Sequence, residues 1–315
     1  MSCVGFGILG PLRAWRDRAA LPLGSTKHEL VLSTLLLHAN RSVDRDEIVE
    51  TVWGRNAPKS SVNLIQKYVG DVRRALEPDG WTMVVSTGRK YRLNVRPDQL
   101  DGHVFQDLLT TARAAKANAD YRSASETLRT ALGLWRGEAW SDLDTVDAVA
   151  ERSRLDELRA VAREEFAELA LMQGDLVEAV AELTRLVIEY PLRERLRMLH
   201  MLVLYRLGRQ AEALCSYRAM HALLDDELGV APSPALQHLQ QQILVRDPRL
   251  DGQLAPLDMF QLARSVADGG GAEAREDIIA LIRRALTQGG RGLDAMVLTV
   301  EQVEEIARRV LRESA

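Results

Sequence analysis

Between Ser60 and Leu76 the chain sets Asn63, Lys67 and Arg74 on one side of a 3.6-residue period, with Gly70 among them and Gln66, Asp71 and Arg73 on the shoulders. An amide, an ammonium and a guanidinium in a narrow stripe have no nucleophile to offer; what they offer is hydrogen bonding. Asparagine can pair with adenine and lysine with guanine, so Asn63 and Lys67 are candidates for base edges. Tyr68, Arg73 and Arg74 are candidates for phosphates. Asp71 has the opposite sign, and an acid there either avoids the nucleic-acid backbone or accepts from a cytosine amino group. After a break at Pro78, Asp79 and Gly80, three more cations follow, Arg89, Lys90 and Arg92, at or just beyond Gly88. From there they can reach phosphates or a narrow minor groove.

These residues need elements to hold them. Val62, Ile65, Val69, Val72 and Leu76 recur at three- and four-residue spacing, which predicts a helix with one buried face, and Ser60 or Ser61 stands where an N-cap oxygen would. Thr82 to Ser86 and Lys90 to Val95 read as two short strands joined through Gly88 and Arg89. A helix with one apolar and one cationic side, then a basic hairpin, suits a major groove and the backbone beside it. A solvated helix in a small α+β domain is the other reading of this stretch. Ahead of it, Val4 to Leu9, Leu12 to Trp15 and Ala20 to Leu23 read as a small antiparallel meander. Lys27 to Ala39 reads as a half-buried helix, and Asp44 caps another whose inner face is Ile48, Val49, Val52 and Trp53, closed by Gly54.

Charge supports this placement. Residues 1–96 carry 15 Lys and Arg against 9 Asp and Glu, a balance of +6, while the remaining 26 against 36 leave the rest at −10. Phosphate binding is dominated by cations that release counterions, so groove contacts belong to the first hundred residues. The 315 residues, 46% hydrophobic and 27% charged, suit about two soluble domains. Met1 to Leu12 lacks the pattern of a signal peptide and no run of some eighteen apolar residues occurs, so a cytoplasmic protein without membrane contact is expected. Cys3 and Cys215 are far apart and match no metal spacing, which implies reduced thiols. Phosphate-loop, zinc-protease and serine-hydrolase motifs are missing, and the six histidines are scattered. No enzyme, cofactor or metal is expected.

From Leu100 the pattern is helical. Gly174 to Ala179 (GDLVEA) and Gly208 to Ala213 (GRQAEA) match at a separation of 34 residues, the tetratricopeptide period, with Ala119 to Ala124 a weaker copy. In each, a small residue marks the turn between paired helices and an alanine lets the second helix pack closely. Beyond Asp251, short helical patterns at 257–267, 273–288 and up to Arg312 alternate with glycine joints at 269–271 and 289–292. They are too short to bury their faces alone.

Several stretches together resemble one known family. Phe6 to Leu12 (FGILGPL), Leu21 to Gly24 (LPLG), Glu47-Ile48-Val49 with Val52-Trp53-Gly54, Ala57-Pro58, Tyr68-Val69 and Arg73 to Leu76 (RRAL) resemble the OmpR-type DNA-binding domain of the Streptomyces antibiotic regulatory protein family. Ala131-Leu132, Leu134 to Gly137 (LWRG), Tyr190 to Glu194 (YPLRE), Leu204 to Arg209 (LYRLGR), Glu227 to Val230 (ELGV), Ile243-Leu244 and Asp247-Pro248 resemble its bacterial transcriptional activation domain. Asp71 departs from the pattern, standing where relatives commonly carry arginine.

The resemblance implies an α+β winged helix-turn-helix over 1–96, then an all-α tetratricopeptide-like domain over 97–250, with 251–315 a helical extension of unassigned role. It implies a sequence-specific activator of an antibiotic or other secondary-metabolite gene cluster, with double-stranded DNA as direct repeats and RNA polymerase holoenzyme as partners. Direct repeats would seat two copies head to tail, and self-association through the extension is a further expectation. The other function class is a helical-repeat interaction or ligand-sensing protein whose winged domain binds protein.

Overall fold

The computed structural model describes residues 4–77 and 82–250, and the chain divides into two compact units, one ending at Leu169 and the other beginning at Ala170. The first unit opens with an antiparallel meander, β1 (Val4–Gly7), β2 (Arg13–Arg16) and β3 (Ala19–Ala20), with Val4 opposite Arg16 and Arg16 opposite Ala19. Asp17 and Arg18 both take positive φ, 48° and 73°, as a two-residue hairpin turn matched to the strand twist requires.

Three helices follow: α1 (Thr26–Leu37), α2 (Arg45–Trp53) and α3 (Ser61–Leu76). Residues 31 to 36 of α1 are all buried, Ser33 and Thr34 included, the Thr34 hydroxyl donating to Leu30 O at 2.7 Å. Asp44 caps α2 by accepting from the Asp46 N–H at 3.0 Å, and Gly54 ends it at φ 56°. Only Ile48 and Val52 of its expected inner face are fully buried; Val49 and Trp53 stay half-exposed. On α3 the buried residues are Ser61, Ile65, Val69, Val72 and Leu76, with Val62 half-buried. Ser60 occupies the N-cap, but its side chain makes no capping bond; its carbonyl accepts from Leu64 N–H at 3.0 Å.

The hairpin is β5 (Val84–Thr87) and β6 (Lys90–Leu93), turned at Gly88 and Arg89, with Thr87 opposite Lys90. A strand not expected from sequence, β4 (Val43–Asp44), pairs with β6 through Val43 and Tyr91, so the wing is a three-stranded sheet in the order β4-β6-β5. Two residues are too few for a periodicity to show. Asn40, at φ 67°, fixes the strand that leaves the wing: its side-chain amide donates to Val95 O and its Oδ1 accepts from Val95 N, both at 2.9 Å.

Packing continues past residue 96. Gln99 donates to Val4 O at 2.9 Å, and Phe6 bridges Leu100 in parallel. α4 (Asp101–Ala117) begins with a buried carboxylate that accepts from Ile8 N at 2.7 Å, from Leu9 N at 3.4 Å and from Arg136 Nη2 at 3.2 Å. Arg136 N donates to Leu9 O at 2.8 Å, Arg136 Nη1 to Pro11 O at 2.7 Å, and Trp140 N to Ile8 O at 3.0 Å. The N–H and C=O groups of Ile8 and Leu9 and the carbonyl of Pro11 are thus satisfied by the helical region, where a free edge strand would face water.

After α4 come α5 (Tyr121–Leu132) and α6 (Val146–Gln173), which runs across the division between the units. The second unit continues with α7 (Leu176–Glu189), α8 (Glu194–Arg206), α9 (Gln210–Leu228) and α10 (Pro234–Val245). The three repeated turns share one geometry. Ala119, Gly174 and Gly208 sit at φ 59°, 84° and 74°. The next residue's N–H reaches back five residues in each: Asp120 to Ala115 O, Asp175 to Ala170 O and Arg209 to Leu204 O, at 3.0, 2.9 and 2.9 Å. That is a Schellman closure, in which a left-handed residue satisfies the last helical carbonyls. Ala124, Ala179 and Ala213 are each fully buried. No helix among the described residues is long and apolar enough to cross a membrane. The expected helices and glycine joints after residue 250 lie outside the described residues.

Candidate nucleic-acid interface

α3 packs against α1 and α2 through Ile65, Val69, Val72 and Leu76, which leaves Asn63, Gln66, Lys67 and Arg74 exposed on its other side. Lys90 and Arg92 are exposed on β6, alternating with buried Tyr91 and Leu93. Asn63, Lys67, Lys90 and Arg92 make no side-chain hydrogen bond or ion pair among the described residues. The other five candidates are engaged.

Asp71 is held from two sides. The His28 ring accepts the Ser25 N–H at Nδ1, 3.1 Å away, which leaves its proton on Nε2 to be donated to Asp71 Oδ2 at 3.1 Å. Arg74 donates to Asp71 Oδ1. The His28 hydrogen bond, with Arg74 and Lys67 adding positive charge, holds the Asp71 carboxyl below its ordinary range. A depressed carboxylate gives stability that is present above the unfolded-state value and lost as pH falls through the folded one. Asp71 therefore ties α3 to α1 and partly neutralises Arg74.

Tyr68 lies in an aromatic cluster. Its ring meets His28 edge-on at 4.6 Å between centroids and stacks on Trp53 at 6.1 Å, while the Lys27 ammonium stands 5.0 Å from the Trp53 centroid.

Arg73 serves the wing. Its Nε and Nη2 donate to Val84 O at 3.2 and 2.8 Å, and Nη2 also reaches Ser86 Oγ at 2.9 Å. Glu77 Oε1 accepts from Val84 N at 2.6 Å, so both backbone groups of Val84 are taken by the last turn of α3. Arg16 of β2 closes that turn, donating to Ala75 O and Leu76 O at 2.9 and 3.0 Å. Arg73→Ala is expected to destabilise the chain by about 2 kcal/mol, since it removes charge-assisted bonds to β5. It should weaken duplex binding by loosening the wing and leave the salt dependence of binding unchanged. An unshifted melting point, together with a salt slope smaller by about one, would instead place Arg73 on a phosphate.

Arg89, at the hairpin tip, forms an ion pair with Asp46, and its carbonyl accepts from Arg45 N at 2.9 Å. The tip thus leans on the first turn of α2. Both side chains are exposed, 61% and 64%, so the pair is weak enough to exchange partners. His28 and Asp46 were not singled out from sequence. Each lies 43 residues from its partner, and no local spacing marks such a pairing.

Two families match. "Bacterial transcriptional activator domain" covers residues 100–244 and "Transcriptional regulatory protein, C terminal" covers residues 19–93. The chain is similar to Regulatory protein AfsR of Streptomyces coelicolor, 40% identical over 277 residues, 85% of this chain and 28% of that protein. It is similar to Transcriptional regulator RedD of the same organism, 35% identical over 79% of this chain and 72% of that protein. It therefore spans little more than a quarter of the first relative and most of the second. Among solved structures, Mycobacterium tuberculosis EmbR in complex with a low-affinity phosphopeptide superposes with a TM-score of 0.72 at 29% identity, over 84% of this chain and 72% of that one.

Proposed function

The chain belongs to the Streptomyces antibiotic regulatory protein family of transcriptional activators, which are not enzymes, and from that premise we propose that it is a sequence-specific reader of duplex DNA. The observation that carries this is a pair of exposed sets free of hydrogen bonds and ion pairs in one small domain: Asn63 and Lys67 on α3, Lys90 and Arg92 on the wing. Asn63 and Lys67 read base edges in the major groove; Lys90 and Arg92 hold the flanking backbone. Arg74 and Arg89 exchange Asp71 and Asp46 for phosphates, whereas Tyr68, Asp71 and Arg73 position the helix and the wing.

Residues 1–96 then do the reading and 97–250 the activation, by contact with RNA polymerase holoenzyme, in the cytoplasm, at a promoter of an antibiotic or other secondary-metabolite cluster. The sites are direct repeats. One winged helix reads only a short segment, so two copies must meet on DNA. The Asn40 clamp on Val95 leaves little slack for the reading face to turn against the rest of its unit, which favours head-to-tail neighbours over a closed two-fold pair.

A salt titration of the full chain on random-sequence and promoter duplexes tests the reading. Affinity should fall steeply with salt, and the Lys90→Ala/Arg92→Ala variant should flatten the slope by about two on every sequence. Binding indifferent to salt and to both substitutions would move the function of the winged domain to protein contacts.

A further inference from the structure

We infer that Gly70 is the point at which a base-pair edge packs directly against the backbone of α3, an inference that rests on the DNA reading above. Glycine inside a helix is unfavourable relative to alanine, because it gives up more backbone freedom and exposes the peptide group. Gly70 is the tenth of sixteen residues in α3, well inside both ends. Several other described glycines have internal reasons. A Cβ at Gly5 would come within 2.5 Å of the Trp15 ring, one at Gly102 within 2.9 Å of Ile8, and Gly88, Gly174 and Gly208 need positive φ. Gly70 has none of these: its φ is not positive, and a Cβ built on it meets nothing within 4 Å. Nothing among the described residues calls for the missing side chain, so the requirement comes from outside them.

The position says what that outside surface is. Lys67 lies one turn before Gly70 and Arg74 one turn after, both exposed, so the bare backbone is the floor of a notch between two cationic side chains. In mid-helix the N–H and C=O groups are already paired along the helix, so the floor offers shape and no hydrogen bond. A phosphate would gain nothing from it, whereas the flat edge of a base pair, or a thymine methyl, can lie against it as the helix seats in the groove. A methyl at residue 70 would hold α3 away from the position in which Asn63 and Lys67 reach base edges.

Gly70→Ala in the full chain tests this, with Lys67→Ala as control, on a duplex recovered by the wild-type protein from a random-sequence pool. The expected result is a higher melting temperature together with affinity for that duplex lowered about tenfold or more, and an unchanged salt slope. Gain of stability with loss of binding is a combination that a merely structural role does not produce. If Gly70→Ala binds as well as wild type while Lys67→Ala is weakened, Gly70 is not a contact point and the DNA reading stands. If neither substitution alters binding, α3 is not the reading helix and both conclusions fall. A lower melting temperature would mean that the added methyl collides within the protein, and a flatter salt slope would mean that a phosphate was displaced; either result overturns the inference.

Discussion

Asp101→Asn is expected to cost the chain about 3 kcal/mol of stability, seen as a melting temperature lower by roughly 6–12 °C. The carboxylate is buried, 7% exposed, and takes two backbone N–H groups and one guanidinium, all donors. Asparagine has the same shape but only one accepting atom. Its NH2 would face either Ile8 N or both Leu9 N and Arg136, and a buried donor left against another donor costs its full desolvation. Arg136 would keep Pro11 O and lose its anion. Burial outweighs the three donors and pushes the Asp101 carboxyl above its ordinary range. A raised carboxylate value means that the folded state holds the proton more tightly than the unfolded chain, so this group's contribution falls as pH rises through the raised value. The gap between wild type and the Asn variant, which does not titrate there, should therefore widen as pH falls from the raised value toward the ordinary one. Denaturant melts at a series of pH values measure this directly, and a gap that narrows on acidification would mean that pairing with Arg136, and not burial, dominates.

Asp101 also shows where sequence reading stops. The buried face of α3 is written in its spacing, because one helix must repeat its apolar residues every three or four positions. The wing turn is legible because Gly88 takes φ 60° between two runs of strand-forming residues, and the repeated hairpins because small residues recur where the left-handed turns fall. Contacts between distant stretches leave no such trace. Asp101 reads as the end of a short junction, yet its partners are 93, 92 and 35 residues away. Arg73 and Arg74 are neighbours with the same chemistry, and periodicity puts both beside the groove stripe. Only the position of β5 decides that Arg73 turns to Val84 while Arg74 stays exposed beside Asp71. Asp71 likewise reads as an acid out of place until His28 is set against it.

The largest effect on recognition is expected from Asn63 and Lys67, the two exposed residues proposed to read base edges. Asn63→Ala and Lys67→Ala should each weaken binding to the selected duplex by about 1–3 kcal/mol, or roughly 5- to 150-fold, because on the proposed reading each removes a base-edge contact. Neither side chain makes a hydrogen bond or ion pair within the described chain, so stability should change by no more than about 0.5 kcal/mol, and the loss can be assigned to the complex. Specificity separates the two. Scanning every base pair of the duplex, Asn63→Ala should erase the preference at an adenine and Lys67→Ala the preference at a guanine. The two positions should lie within a few base pairs of each other, since the residues are one helical turn apart on α3. Random-sequence binding should change much less for Asn63→Ala, which carries no charge. For Lys67→Ala the salt slope decides the contact: a slope kept at the wild-type value places the ammonium on a base, and one lower by about one places it on a phosphate. If both variants keep every base preference and lose affinity uniformly, α3 lies along the backbone and sequence is read through the shape of the duplex, with the wing cations Lys90 and Arg92 as the residues to test in the minor groove.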